Sequence, residues 1–584
     1  HQSRKGNGDA NRASHHDLLE SDIEKQVAIH GSNEQAILPI LQTLANTSVD
    51  PTSNQLNEVS AATRTPPAQV AGIQSFYTML SGSEGAKIPV RVCDGPVCMA
   101  LGAADFRKAL EAIDRGQERF RICRTSCLGL CDRAPAALVG IHPCGPLSQE
   151  ELPHSLIVPQ RSSFTYSQPL THEHRVAMAR LQPSSEQNPN GGIPKEAYRS
   201  LESALSQPSE QVLKEIEDAG LRGCGGAGFP TAQKWRMVAQ TGAKQKFVIC
   251  NADESEPGAF KDRVLMEGDP HLVIEGMALT AYAVGANEGI VYVRGEYEQS
   301  ATQIERAIEQ ARQAGWLRNR LGDSEFLFDV HVHRGAGAYI CGEETALLES
   351  LEGHRGEPRL RPPYPTTQGY LGQPTVVNNV ETLCLVPPIV QRGGAWYRNI
   401  GHRGTSGTKV LTLSGHIKRA GAFEAPLGLT VREAIDWFGA GMREGSRFKM
   451  ALTGGAAGTF VPADLLDTPL DYGAIEEGVA LGSGVIMVFD ESISAVDTLS
   501  WVLKFFRNES CGKCTPCREG SSVACNIVDR IAHGNGCSGD FSRLRQLARM
   551  LDLTSLCGLG KSIALPIGSA LNHFAEDFLV RGAS

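Results

Sequence analysis

The C-terminal part of the chain contains the stretch C-G-K-C-T-P-C at 511–517, and one more cysteine follows in the stretch L-C-G-L-G at 556–560. Three thiolates spaced by two residues can bind one face of a cubane, and a remote cysteine completes the four soft ligands that a [4Fe-4S] cluster needs. A zinc site or reduced core thiols are the alternatives, although zinc usually takes two separated Cys-x2-Cys pairs. The spacing predicts a [4Fe-4S] cluster held by Cys511, Cys514, Cys517 and Cys557.

A second group of cysteines lies in V-C-D-G-P-V-C at 92–98 and T-S-C-L-G-L-C at 125–131. Each pair follows a strand-like run, so both pairs are expected on loops at strand ends. Two pairs with short, unequal spacers suit a [2Fe-2S] cluster, and a disulfide pair is the alternative. Cys123 precedes Cys127 by the same spacing, but it ends an apolar strand. The predicted [2Fe-2S] ligands are Cys93, Cys98, Cys127 and Cys131.

Length and composition narrow the class of protein. A chain of 584 residues is too long for one core, and its net charge of −9 gives no reason to expect nucleic acid as a partner. Its 16 cysteines cluster at ligand spacings, which favours a reducing cytoplasm over a secreted disulfide scaffold. The sequence contains no apolar run long enough to insert into a membrane.

Changes in periodicity and composition divide the chain into segments. In order, we predict a disordered tail at 1–15, a helical bundle at 16–85, a strand-and-helix domain around the first cysteines at 86–160, a linker at 161–195, a glycine-rich α/β domain at 196–395, a domain of short strands at 396–490 and a helical domain at 491–584.

The stretch L-R-G-C-G-G-A-G-F-P-T-A-Q-K-W at 221–235 formally matches G-x-G-x-x-G. A helix rather than a strand is expected before it, and no acidic residue follows at the required distance, so we reject a standard dinucleotide fingerprint. Bare glycine amides can still approach a phosphate or a flat ring, and a helix beginning at Pro230-Thr231 would bring Lys234 near the anion. A glycine-rich turn without a ligand is the alternative.

Three further loops carry polar groups suited to a flavin. They are C-N-A-D-E-S-E-P-G at 250–258, G-A-G-A-Y-I-C-G-E-E-T-A at 335–346 and V-N-N-V-E-T at 377–382. The first follows a strand and the second runs into a helix, so the loops of one α/β domain can converge on a ribityl chain and an isoalloxazine ring. A solvated acidic face is the alternative for 253–256.

Together with E-S-C-G-K-C-T-P-C-R-x-G, these motifs make residues 196–584 resemble the NADH-binding flavoprotein subunit of respiratory complex I and its soluble relatives. Residues 16–160 resemble the thioredoxin-like [2Fe-2S] subunit of the same enzymes, here fused in front. The resemblance implies a multidomain α/β protein with a thioredoxin-like domain, a Rossmann-like FMN domain, a β-grasp domain and a C-terminal helical bundle that carries the [4Fe-4S] cluster.

The resemblance also implies site residues. Those for FMN are Gly223, Gly225, Gly226, Lys234, Asn251, Asp253, Gly342 and Asn379. Those for NADH are Phe229, Glu256, Glu343, Glu344, Arg361 and Tyr364. No side chain is expected to act as an acid or a base, because hydride passes between the nicotinamide and the flavin itself.

The implied function is that of a diaphorase subunit, which passes electrons between NAD(H), FMN and iron–sulfur clusters. Fusion to the [2Fe-2S] module favours a cytoplasmic NAD-reducing [NiFe] hydrogenase, whose partners would be an iron–sulfur electron-transfer subunit and a hydrogenase catalytic module. An NAD-dependent molybdenum or tungsten formate dehydrogenase and a fused complex I subunit are alternatives. A zinc-stabilised assembly protein without enzymatic activity is the alternative from another class.

Overall fold

The protein folds as several packed α/β and helical units, which confirms the expected fold class. The computed structural model describes residues 22–46, 51–80, 88–115, 119–148, 170–181, 192–319 and 325–579, so the tail expected at 1–15 lies outside the described residues. None of the helices in these ranges is long and apolar enough to cross a membrane.

The N-terminal unit is helical, and a small sheet follows it. Its helices are residues 22–30, Ile37–Asn46, Ser53–Thr63 and Pro67–Phe76, and a 3-10 turn lies at Glu34–Ala36. The sheet has the order β2-β1-β3-β4, with strands β1 (Ile88–Cys93), β2 (Phe120–Thr125), β3 (Ala137–Val139) and β4 (His142–Cys144). Helices Pro96–Ala100 and Ala103–Asp114 connect β1 to the parallel strand β2.

The central domain contains a parallel sheet of order β7-β6-β5-β8, with strands β5 (Phe247–Ala252), β6 (Glu288–Val293), β7 (Asp329–Arg334) and β8 (Thr375–Asn379). The longer helices around it are Arg199–Leu205, Ser209–Ala219, Thr231–Ala239, Lys261–Gly268, Pro270–Val284, Glu298–Gln313, Glu344–Leu351 and Val380–Arg392. The strand order reverses between β5 and β8. Ligands of open parallel sheets bind beyond the carboxyl ends of the strands at such a switch point.

A mixed sheet and a helical domain complete the chain. The sheet has the order β10-β9-β13-β11-β12, with strands β9 (Thr408–Gly415), β10 (Gly421–Pro426), β11 (Phe448–Thr453), β12 (Thr459–Val461) and β13 (Val485–Asp490). The C-terminal helices are Ala495–Glu509, Thr515–Ala532, Asp540–Thr554, Gly558–Ser562, Ala564–His573 and Ala575–Leu579.

Residues 170–181, which belong to the expected linker, pack against two domains. The buried Glu424 carboxylate on β10 accepts hydrogen bonds from the backbone N–H groups of Val176, Ala177 and Met178 at 2.8–3.1 Å. Arg180 pairs with Asp269 of the central domain. The composition of this stretch is typical of a linker, but its amides find their acceptor on a strand that lies far away in the sequence.

A network of charged side chains joins the N-terminal helices to the central domain. The ring of His354 lies between two carboxylates, with Nδ1 2.8 Å from Glu349 and Nε2 2.8 Å from Glu34. Arg359 donates to Glu349 and to Glu352, so each carboxylate oxygen of Glu349 has a partner. The hydrogen bond to Glu349 raises the pKa of His354 to about 9, with Glu34 adding to the rise and partial burial opposing it.

We expect this contact to weaken in alkali. Because the folded-state pKa of His354 lies above the ordinary value of 6.5, its contribution to stability is full below pH 6.5 and is lost as the pH rises through about 9. Since the ring and its partners are partly exposed, solvent screening reduces that contribution to about 1 kcal/mol. Thermal unfolding between pH 6 and 10 measures it, and His354→Gln should flatten the profile. His533→Gln, a control at an exposed helix end, should leave the profile as it is; a wild-type profile that matches His354→Gln would contradict the assignment.

Candidate functional site

Four cysteines of the C-terminal domain line one small pocket. Cys511 and Cys514 lie on the loop before the helix Thr515–Ala532, and Cys517 lies in the first turn of that helix. Cys557 is the residue just before the helix Gly558–Ser562. Burial raises the pKa of Cys517 and of Cys557 to about 11. The four cysteines therefore surround one cavity, which is the arrangement that the expected [4Fe-4S] cluster needs.

Beside the pocket, the chain packs too closely to leave space for a side chain at position 560. A Cβ on Gly560 would lie 2.5 Å from the Ser555 hydroxyl oxygen and 3.0 Å from the Cβ of Cys517. The Ser555 hydroxyl is buried and has no hydrogen-bond partner among the described residues. Glycine at 560 thus lets the chain carrying Cys557 approach the C-G-K-C-T-P-C loop closely.

The other cysteine set also converges. The sulfur of Cys127 lies 3.7 Å from that of Cys131, and the Cys93 sulfur is within hydrogen-bonding reach of those of Cys98 and Cys127. All four side chains are buried. Cys123 lies on β2 and directs its sulfur to the carbonyl oxygen of Val90 instead. The donor set that the structure gathers is the one that suits a [2Fe-2S] cluster.

Buried charged side chains connect the loop that contains Cys127 and Cys131 to the central domain. The guanidinium of Arg294 donates to the carbonyl oxygens of Cys127 at 2.7 Å and of Glu254 at 2.6 Å. Arg263 pairs with Asp132 at 2.8 Å. The two arginines are 3% exposed, so these contacts fix the loop against the polar loop that follows β5.

A cleft of about 610 Å³ opens where the central, mixed-sheet and C-terminal domains meet. Its volume lies within the range of sites for cofactor-sized ligands. The loops after β5, β7 and β8 contribute to it, and Asn251 at the end of β5 lies beside Asn379 at the end of β8 in the register of the sheet. The cleft therefore coincides with the switch point of the parallel sheet.

The glycine-rich stretch at 221–230, which we call the glycine loop, forms one wall of the cleft. Gly225, Gly226 and Ala227 line the cleft. A Cβ at Gly225 would lie 3.3 Å from the Cβ of Asn379, and Gly226 has φ +121°, which side chains rarely adopt. Because these positions carry no side chains, the backbone of the loop stays accessible from the cleft. Close approach to backbone N–H groups is what the phosphate or ring of FMN would need.

Buried carboxyl groups line the floor of the cleft. Burial raises the pKa of Asp253 to about 8 and those of Glu254 and Glu256 to about 7. The Glu256 carboxylate accepts hydrogen bonds from the Tyr339 hydroxyl at 2.6 Å and from the Ala457 N–H at 3.0 Å. These groups therefore carry less negative charge near neutral pH than their number suggests.

Several residues implied by the resemblance line the cleft, and others do not. Those that line it are Gly225, Gly226, Asn251, Asp253, Glu256, Gly342, Glu343 and Asn379. Those outside the lining are Gly223, Phe229, Lys234, Glu344, Arg361 and Tyr364.

The residues outside the lining either bond to neighbouring groups or lie at the surface. Gly223 closes the base of the glycine loop through its N–H to Phe229 O at 2.9 Å. Lys234 is held by Glu344 and by the Val377 carbonyl, both at 3.1 Å. Arg361 lies 3.5 Å from Glu344, so its charge is partly neutralised. The side chains of Phe229 and Tyr364 are exposed.

The mixed-sheet domain contributes a part of the cleft that was not predicted from the sequence. Residues of the mixed-sheet domain that line it are Gly454, Ala457, Asp471, Tyr472, Ile475, Ala480, Leu481, Gly482 and Ser483. Tyr472 also packs on the glycine loop, because a Cβ at Gly228 would lie 2.6 Å from its ring. The only signal in the sequence is the pair of stretches L-T-G-G-A and A-L-G-S-G, whose glycines are typical of turns.

Two side chains separate the cleft from the [4Fe-4S] pocket. Ile340 and Leu559 line both cavities. The two cavities therefore adjoin at these apolar residues, which brings the expected flavin and cluster positions close to each other.

Comparison with known proteins identifies the family. The chain is 44% identical over 384 residues to the F subunit 2 of NADH-quinone oxidoreductase from Rhizobium meliloti (strain 1021), a match that covers 65% of this chain and 91% of that protein. The chain belongs to the family of NADH-quinone oxidoreductase F subunits. The NADP-reducing hydrogenase subunit HndC of Solidesulfovibrio fructosivorans is 43% identical and is covered to 78%, with 65% of this chain aligned.

Family models agree with the three sites. The Nuo51 FMN-binding domain matches residues 216–388, the NADH-ubiquinone oxidoreductase-F iron-sulfur binding region matches 497–581, and the thioredoxin-like [2Fe-2S] ferredoxin matches 23–157. This member of the family is thus an oxidoreductase with FMN, a [4Fe-4S] cluster and a [2Fe-2S] cluster as cofactors and NADH as substrate. The zinc-based alternatives lose their support.

The solved structures include a match to nearly the whole chain. The crystal structure of an NAD⁺-reducing [NiFe]-hydrogenase in the H2-reduced state contains a chain that is 34% identical, with a TM-score of 0.82. The match covers 94% of this chain and 93% of that one. The likeness therefore extends over the fused N-terminal module, whereas the match to each of the two relatives above covers 65% of this chain.

Proposed function

We propose that this chain is the diaphorase subunit of a cytoplasmic NAD-linked [NiFe] hydrogenase. The observation that carries the proposal is the end-to-end match to a chain of an NAD⁺-reducing hydrogenase, because the match includes the [2Fe-2S] module. A formate dehydrogenase or a fused complex I subunit would share the cleft and the clusters but would have another catalytic module.

Within the cleft, we assign the wall and floor to FMN. When bound, FMN accepts two electrons as hydride and releases them one at a time. Gly225 and Gly226 would offer backbone to it, and Asn251, Asp253, Gly342 and Asn379 would offer polar groups. Gly223 and Lys234 would position this wall through their own hydrogen bonds. Cys511, Cys514, Cys517 and Cys557 would hold the [4Fe-4S] cluster, and Cys93, Cys98, Cys127 and Cys131 the [2Fe-2S] cluster.

The partner would be an iron–sulfur subunit that docks over the C-G-K-C-T-P-C loop. Cys511 and Cys514 are only partly buried, and Lys513 between them is exposed. Because electron transfer requires a short distance between centres, the exposed side of this loop is where an acceptor can approach.

The test is to purify the native complex anaerobically, identify its subunits and assay two reactions. NADH should reduce an artificial acceptor, and H2 should reduce NAD⁺ in the same preparation. Formate-dependent but not H2-dependent reduction of NAD⁺ would replace hydrogenase with formate dehydrogenase. Absence of flavin from the complex would overturn the assignment of the cleft.

Glu256 is expected to favour NADH over NADPH. Its carboxylate lines the cleft, and a carboxylate accepts a hydrogen bond from a ribose hydroxyl but repels a 2′-phosphate. Arg361 is paired with Glu343 and Glu344, which makes it less available to a 2′-phosphate. In Glu256→Gln, the ratio of kcat/KM for NADH over NADPH should fall about tenfold, or about 1.4 kcal/mol. Glu357→Gln, outside the cleft lining, is the control, and an unchanged ratio in Glu256→Gln would move the selectivity elsewhere.

A further inference from the structure

One serine hydroxyl contacts a sulfur of the [4Fe-4S] pocket. Ser510 follows the last residue of the helix Ala495–Glu509, and its hydroxyl oxygen lies 3.3 Å from the sulfur of Cys517. Among the described residues, this sulfur is the only hydrogen-bond partner of that hydroxyl. The side chain also lines the pocket together with the four cysteines.

The cluster fixes the direction of this hydrogen bond. A cysteine that ligates iron is a thiolate and carries no proton, so the Ser510 hydroxyl must be the donor and the sulfur the acceptor. Because the acceptor then shares the negative charge of the cluster, the bond is stronger than one between neutral groups.

The other donors to cysteine sulfurs in this pocket are backbone groups. The N–H groups of Leu559 and Gly560 face the sulfur of Cys557, and that of Lys513 faces Cys511. Backbone donors are the same whatever side chain occupies the position. The contact made by Ser510 depends on the choice of side chain and can be removed without changing the backbone.

We propose that Ser510 is a positioning residue that raises the reduction potential of the [4Fe-4S] cluster by donating its hydroxyl hydrogen bond to Cys517. The inference rests on the proposed role of the four cysteines as cluster ligands. One-electron reduction adds a negative charge to the cluster, and a donor to a ligand sulfur stabilises the reduced form more than the oxidised form. The hydroxyl proton stays on oxygen throughout, so the bond changes the equilibrium and not the course of the reaction.

The test is an EPR-monitored redox titration of the complete complex. In Ser510→Ala, the equilibrium constant for reducing the [4Fe-4S] cluster should fall about tenfold, which is a shift of about 59 mV for a one-electron couple. Ser510→Thr keeps the hydroxyl and should remain near the wild-type potential. Ser522→Ala is the matched control, because the Ser522 hydroxyl bonds to the Arg518 carbonyl and not to sulfur. The [2Fe-2S] potential is an internal reference and should not move.

The outcomes separate the inference from the proposed function. An unchanged potential in Ser510→Ala with iron content retained would overturn the inference, and so would equal shifts in Ser510→Ala and Ser510→Thr. If Ser510→Ala loses the cluster while Ser510→Thr keeps it, the hydroxyl is required at the sulfur and the inference stands. If both lose it, packing rather than the hydroxyl is responsible and the inference fails. A wild-type complex without a [4Fe-4S] signal would instead remove the proposed function.

Discussion

Replacing Cys557 with serine is expected to remove the [4Fe-4S] cluster and with it the transfer of electrons to iron–sulfur acceptors. The iron content should fall by the four atoms of that cluster, because a serine hydroxyl is a poor substitute for a thiolate as one of the four ligands that line the pocket. Cluster-dependent turnover should fall at least about 100-fold, or about 2.7 kcal/mol of activation free energy. Bleaching of the flavin absorbance by NADH should persist, since the residues assigned to FMN lie in other loops.

Cys525→Ser is the matched control for this variant. Cys525 is buried in the same domain, on the helix Thr515–Ala532, but it lies outside the pocket and contacts Asp529. It should keep its iron and its turnover. Retention of a normal [4Fe-4S] signal in Cys557→Ser would show that the fourth ligand is a different residue.

The second large effect is expected at Glu381, which stabilises the contact between the central domain and the mixed sheet. Its buried carboxylate accepts from the Lys409 ammonium and from the Val410 N–H at 2.7 Å, and lies 3.0 Å from the Lys261 ammonium. Burial opposes ionisation, but these ammonium groups hold the pKa of Glu381 below its ordinary value. Glu381→Ala would leave two buried ammonium groups without this partner.

Loss of one member of a buried ion pair costs about 3–5 kcal/mol, which is a large share of the stability of a domain. Urea unfolding followed by flavin fluorescence should therefore show a much lower midpoint in Glu381→Ala, with early release of FMN because Lys261 also bonds to Asn379. Glu491→Ala removes an exposed pair with Arg447 and should cost at most about 1 kcal/mol. Equal midpoints for the two variants would contradict this account of the interface.

The depressed pKa of Glu381 has a consequence for stability in acid. A carboxyl whose folded-state pKa lies below its unfolded value contributes stability that is present above the unfolded value of 4.5 and is lost as the pH falls through the folded value. The difference in midpoint between wild type and Glu381→Ala should therefore shrink below pH 4.5.

Much of the site could be predicted from the sequence because its parts are local. Each cysteine set comes from two short stretches with ligand-like spacing, and Asn251 and Asn379 lie at the ends of strands whose apolar residues can be recognised from the sequence. Parallel strands bring their carboxyl ends to one edge, so these loops had to meet.

Other features depend on contacts between distant positions and leave no local pattern. Lys234 lies near the start of a helix, as predicted. Its ammonium group, however, pairs with the carboxylate of Glu344, which is 110 residues away in the sequence. The glycine-rich turns of the mixed-sheet domain line the cleft only because that domain packs beside the glycine loop. Residues 170–181 have the composition of a linker, and only the position of Glu424 shows that their amides are bound.

The contacts that Arg294 and Arg263 make with the [2Fe-2S] loop bear on why the two modules are fused. These contacts are buried and are made by side chains far from the peptide that connects the modules. The way in which the two modules pack against each other therefore does not depend on that peptide. What the fusion adds is a fixed one-to-one stoichiometry and a high effective concentration of one module for the other. If the chain were divided into two polypeptides between the modules, the two should therefore still associate in the same way, and the fraction that is associated should fall on dilution.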